Sequence, residues 1–226
     1  MHSQKLKEFI EEIKFRNRNP KNVELLRKLD DVSMNPTEIV TPGTVFYRCR
    51  IVKDNLDTIG SEPGFSGYNS KGSFIAPVFA TKDMRANYRF IPYLYIASTK
   101  ELSIIETRPE KSDKVSVATI IVDEDLTLFD LRQTKDLSDK KRNVKDNFLI
   151  DLAELYSKPV ESTDDQADYI PTQFIAEYIK QLDYDGIIYP SSHGGDKTKE
   201  YSIVVFNYNK CHASGSELIE TNGEEV

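Results

Sequence analysis

With 226 residues, 38% of them hydrophobic, the chain is long enough to bury a real core and short enough to hold one domain plus an appendage. Its 30 Lys and Arg against 37 Asp and Glu give a net charge of −7, the opposite of the basic footprint of a nucleic-acid binder. No apolar run approaches the roughly 20 residues of a membrane span, the start carries no apolar signal region, and Cys49 and Cys211 fall short of a disulfide framework, so a soluble cytoplasmic protein is expected.

Leu6, Phe9, Ile10 and Ile13 recur at helical spacing between charged residues and predict an amphipathic helix over 4–15. After Asn19-Pro20, the residues Val23, Leu25, Leu26 and Leu29 predict a second short helix, and the two make an N-terminal helical extension, 1–38. The stripe at Leu6 to Ile13 has two readings: packing on the protein's own core, or docking a partner. A main domain, 39–210, follows. Its Val45 to Ile51 has the β-branched and aromatic content of a strand, and Gly60 to Gly72 reads as a surface binding loop. A strand over Pro92 to Ala97 leads into a capping box beginning at Ser98 and a helix that runs to about Thr107, where Arg108-Pro109 stops it. Strands at Val115 to Val122 and near Phe129, a helix over Val144 to Tyr156, and an acidic loop from Glu161 to Asp168 come next. A helix opened by Pro171, a turn at Asp185-Gly186 into Ile187-Ile188-Tyr189, and a last strand from Tyr201 to Phe206 complete the domain. From 211 to 226 the text reads as a mobile acidic tail.

Glu106 falls four residues after Leu102, on the apolar stripe of its helix, where a carboxylate is costly unless hydrogen bonds or an arginine favour it. The alternative is that it sits at a frayed helix end and points to water. Arg48 and Arg50 lie in an apolar strand and Arg85 just before another; guanidinium groups suit phosphate oxygens, although alternate residues of an edge strand also face water for plain solvation. Tyr47, Tyr88, Phe90, Tyr93 and Tyr95 offer flat faces for stacking on a ring. Ser191-Ser192-His193 lacks the nucleophile-elbow glycines and is not read as a serine–histidine pair. The histidines His2, His193 and His212, with two distant cysteines, give no zinc spacing, so no metal is expected, and no Walker A or dinucleotide glycine loop is present.

The stretch Met84-Arg85-Ala86-Asn87-Tyr88-Arg89-Phe90-Ile91-Pro92-Tyr93-Leu94-Tyr95-Ile96-Ala97, then Ile105-Glu106-Thr107-Arg108-Pro109, Lys114 to Ala118, Tyr169 to Tyr178 and Asp185 to Ser192, resembles the RES domain, named for its arginine, glutamate and serine. The resemblance spans roughly 43–207. It implies an α+β fold of ADP-ribosyltransferase type, a mixed and antiparallel β-sheet core with flanking helices, and it implies destruction of NAD+ by hydrolysis or phosphorolysis of the nicotinamide–ribose bond. On this resemblance the site residues are Glu106, Arg48 and Ser191 as catalytic, with Arg85, Tyr95, Tyr47, Arg50 and Ser192 as substrate-binding; Ser191 and Ser192 compete for one role. Arg48 and Arg85 would clamp the pyrophosphate, Tyr95 would stack on nicotinamide, and Glu106 would stabilise the oxocarbenium-like charge. NAD+ is then substrate, with no cofactor. Tyr88 and Arg89 depart from a proline and a glycine common in relatives. The resemblance also implies a toxin held by an Xre-type antitoxin. A homo-oligomer stays open, as do two other readings: ADP-ribose transfer to a macromolecular acceptor, and a non-catalytic nucleotide-binding or interaction module.

Overall fold

The computed structural model describes residues 4–20, 23–52, 67–132, 144–158, 166–191 and 199–221. Eight strands form one sheet: β1 (Thr37–Val40), β2 (Val45–Ile51), β3 (Leu94–Ala97), β4 (Lys114–Val122), β5 (Leu126–Asp130), β6 (Gly186–Pro190), β7 (Tyr201–Val205) and β8 (Cys211–Glu220). Their spatial order is β1-β5-β6-β7-β3-β2-β4-β8. Every neighbouring pair is antiparallel except β5 with β6. Parallel neighbours need a long crossover, and here it carries α4 (Val144–Ser157) and α5 (Ile170–Gln181). The remaining helices are α1 (Gln4–Phe15), the short α2 (Ser70–Phe74) and α3 (Lys100–Thr107). The protein is thus α+β with a mostly antiparallel sheet.

β6 and β7 are almost wholly apolar, with Ser202 the exception in β7, because both faces of these central strands are covered. Ile187, Tyr189, Val204 and Phe206 face a core shared with α1, α4 and α5, while Ile188, Ile203 and Val205 face a second core with Phe46, Ala118, Ile120 and Leu128. α3 covers a third, smaller cluster, laying Ile104 against Cys49 of β2 and Val115 and Val117 of β4.

Two expected boundaries do not survive. The N-terminal stretch 1–38 is not an extension: Leu6, Phe9 and Ile13 are buried in the α4/α5 core, Phe9 meets Phe174 edge-on at 5.8 Å, and Lys14 pairs with Asp168. The stripe packs on the protein's own core, and β1 crosses the 38/39 boundary to pair with β5. The expected second helix is a single 3-10 turn, Leu26–Leu29. Likewise, 211–220 is not a tail but β8, hydrogen-bonded along β4, with Cys211 buried. An edge strand with one wet face mixes glutamates and serines into its text, and Glu217 pairs across to Lys100 of α3, so its composition resembles that of a loop. Gly60 to Ser66 and Glu161 to Asp165 lie outside the described residues.

Since Leu6 is fully buried, Leu6→Ala should cost about 2–5 kcal/mol in urea unfolding, whereas Phe15→Ala, at an exposed position, should shift the midpoint little. Equal small effects would mean that α1 contributes nothing to the core.

Candidate active site

Between β2 and β3 the sheet is joined at one position only, Tyr47 opposite Ala97, whereas β2 pairs with β4 along its whole length. The strands part there, and a cleft of about 780 Å³ opens over the seam, within the roughly 300–1,000 Å³ usual for small-molecule sites. Its walls carry Tyr47, Arg48, Arg85, Tyr95, Glu106 and Ser202.

Glu106 arrives from the last turn of α3. Thr99, not Ser98, caps this helix, accepting from the Leu102 N–H at 3.1 Å; Ser98 instead ties β3 to β7 by accepting from the Tyr201 N–H at 3.1 Å. The helix ends in a left-handed Arg108, φ 50°, before a proline that cannot continue it. Leu102 and Ser103 are buried below, but Glu106 is exposed: the inward stripe runs off the edge of the core and delivers its carboxylate to the cleft mouth. Of the two sequence readings, the structure bears out exposure rather than burial, with the carboxylate at the cleft.

Ser191, directly after β6 and 1% exposed, donates from Oγ to Glu106 Oε1 at 2.6 Å, and Ser202 of β7 donates to the same oxygen at 3.4 Å. Two hydroxyls from adjacent strands thus orient one carboxylate. Oε2 meets no donor among the described residues. Ser192, the competitor for the serine role, lies outside the described residues.

The arginines divide. Arg48 is half-buried, donates to Ser73 O at 2.6 Å and lines the cleft. Burial, then the like charge of Arg50, lowers its pKa to about 10, which leaves it a cation at neutral pH. Arg85 reaches across to the C-terminal end of α4, donating to Lys158 O at 2.7 Å and to Leu155 O at 3.3 Å. Both guanidinium groups line the cleft, and among the described residues neither forms an ion pair. Arg50 does not line it: its guanidinium stacks 3.7 Å from the Tyr68 ring centroid and donates to Gly72 O at 2.7 Å, pinning the backbone around α2.

The tyrosines also differ from a plain stacking wall. Tyr95 is among the residues lining the cleft, but its hydroxyl is engaged, accepting from the Ala86 N–H at 3.0 Å and donating to Asn87 Oδ1 at 2.8 Å, and burial pushes its pKa far up. Tyr189 is pushed up to about 12 by burial and stays neutral. Tyr47 lines the cleft beside the seam. Tyr93 is committed to Glu177 Oε1 at 2.5 Å. Ser202 was not singled out from the sequence. Its signal was a lone hydroxyl in the apolar run Tyr201 to Phe206.

The family model for the RES domain matches residues 59–223. This chain belongs to the RES domain family. The match takes in Arg85, Glu106, Ser191 and β8; it begins after Arg48, whose assignment stands on its place in the cleft. Among solved structures, the chain is similar to one in the crystal structure of the M. tuberculosis MbcT–MbcA toxin–antitoxin complex, at 13% identity and a TM-score of 0.46, covering 89% of this chain and 94% of that one. A search of curated proteins finds no match.

Proposed function

We propose that this RES domain cleaves the nicotinamide–ribose bond of NAD+. The observation that carries the proposal is the Glu106 carboxylate, oriented by Ser191, in a cleft also lined by the guanidinium groups of Arg48 and Arg85, neither of which forms an ion pair among the described residues. The resemblance in the motif residues supports the choice of substrate. Arg48 and Arg85 hold the pyrophosphate, since guanidinium groups meet phosphate oxygens with several donors in a fixed plane. Tyr95, its ring held by the two hydrogen bonds of its hydroxyl, forms a flat wall for nicotinamide.

In the reaction the bond between ribose C1 and the nicotinamide nitrogen breaks, and its electron pair leaves with neutral nicotinamide. Positive charge grows on the ribose, and Glu106 stabilises it from a fixed position that costs no reorganisation. Water then adds to C1 and releases a proton, giving ADP-ribose, or phosphate adds and gives ADP-ribose-1″-phosphate. The exposure of Glu106 also favours a second reading, transfer of ADP-ribose to an acceptor on a macromolecule, which would need access from outside the cleft.

Purified protein incubated with NAD+, with and without phosphate, should release nicotinamide, with chromatography separating ADP-ribose from its phosphate. Intact NAD+ after prolonged incubation would sink the proposal, and label carried into protein or nucleic acid would favour the transferase. A role as a toxin, neutralised by an Xre-type antitoxin, extends this reading: induced expression should then lower cellular NAD+ before growth stops.

A further inference from the structure

Arg85 sits in a segment, 82–89, that is neither helix nor strand, so its guanidinium is only as well placed as the backbone beneath it. That backbone is held from another element. Gln173, in the first turn of α5 and 1% exposed, donates from Nε2 to Met84 O at 3.0 Å and to Asn87 O at 2.9 Å, with Asp83 Oδ1 at 3.4 Å. Its two main acceptors flank Arg85 on either side in the chain. The Met84 N–H also donates to Asn87 O at 3.1 Å and closes the loop on itself.

Asn87, equally buried, completes the knot: Nδ2 donates to Lys82 O at 2.9 Å and to Tyr88 O at 3.1 Å, and Oδ1 accepts from Tyr95. A primary amide suits position 173 because it presents two hydrogens to two carbonyls. A carboxylate would face them with like charge, and an apolar side chain would leave the Met84 carbonyl without this donor. Gln173 does not line the cleft.

We infer that Gln173 is a positioning residue for Arg85, setting the affinity of the cleft for the pyrophosphate of a dinucleotide without touching it. The inference rests on the NAD+ reading of the cleft. It is tested with ADP-ribose as the probe, titrated calorimetrically into the full chain and into Gln173→Met, Arg85→Met and the double variant, each checked by thermal unfolding.

Each single change should weaken binding about tenfold, and the double variant should bind no more weakly than Arg85→Met alone. In turnover, Gln173→Met should raise KM for NAD+ and leave kcat within about twofold. Losses that multiply in the double variant, or unchanged binding by a folded Gln173→Met, would overturn the inference. If Gln173→Met does not fold, Gln173→Asn, which keeps the amide one methylene shorter, carries the same cycle under the same criterion. If the wild-type chain binds no ADP-ribose, the NAD+ reading falls and this inference with it; binding by wild type with additive losses overturns the inference alone.

Discussion

Glu106→Gln should reduce nicotinamide release by about a hundredfold or more while leaving the protein folded. The amide oxygen of glutamine can still accept the Ser191 hydrogen bond, and the side chain is exposed, so neither packing nor volume changes. On the proposed reaction, what disappears is a full negative charge beside the developing cation. Ser191→Ala should cost less, about tenfold, because the carboxylate keeps its charge and the longer bond from Ser202 while losing its shorter tether. Initial rates of nicotinamide formation at saturating NAD+, with unfolding curves for both variants, decide the matter. Undiminished turnover in Glu106→Gln would place the charge stabilisation on another group.

Gly186→Ala should unfold the protein far more readily than its size suggests. A Cβ at this position would lie 2.3 Å from the Val204 carbonyl oxygen, 3.1 Å from Val205 Cα and 3.0 Å from a Leu128 methyl. The first two are backbone atoms of β7, so no rotamer change relieves the contact and two central strands would have to separate. A loss of about 3 kcal/mol or more is expected in urea unfolding. A midpoint within error of wild type would show that β6 and β7 yield at this point without cost.

Gly186 also shows where sequence reasoning stops. Asp185-Gly186 reads as a turn signal, and the strand does begin there, yet the glycine is needed for close approach of a neighbouring strand, which only the register of Gly186 with Val205 reveals. Elements with strong internal periodicity were legible: β2 lies where its aromatic and β-branched run put it, and α3 and α5 follow their apolar stripes. β8 was not, because a strand with one solvated face and two glutamates has the composition of a loop.

The site was legible in part. Glu106, Arg48 and Arg85 line the cleft and Ser191 hydrogen-bonds Glu106, but the motif could not say that Arg85 would rest on the end of α4, nor that Arg50, two residues from Arg48, would turn to Tyr68. Those outcomes depend on which carbonyls lie within reach, and that is a property of packing. Ser202 escaped for the same reason, since its partner comes from an element 96 positions away in the chain.

The single paired position between β2 and β3 divides the sheet into two blocks, β1-β5-β6-β7-β3 and β2-β4-β8. α3 rides on the second block through Ile104, and Ser191 and Ser202 belong to the first. The Ser191–Glu106 hydrogen bond, 2.6 Å long, therefore also spans the parting line, tying the second block to the first where the sheet itself is joined at one position.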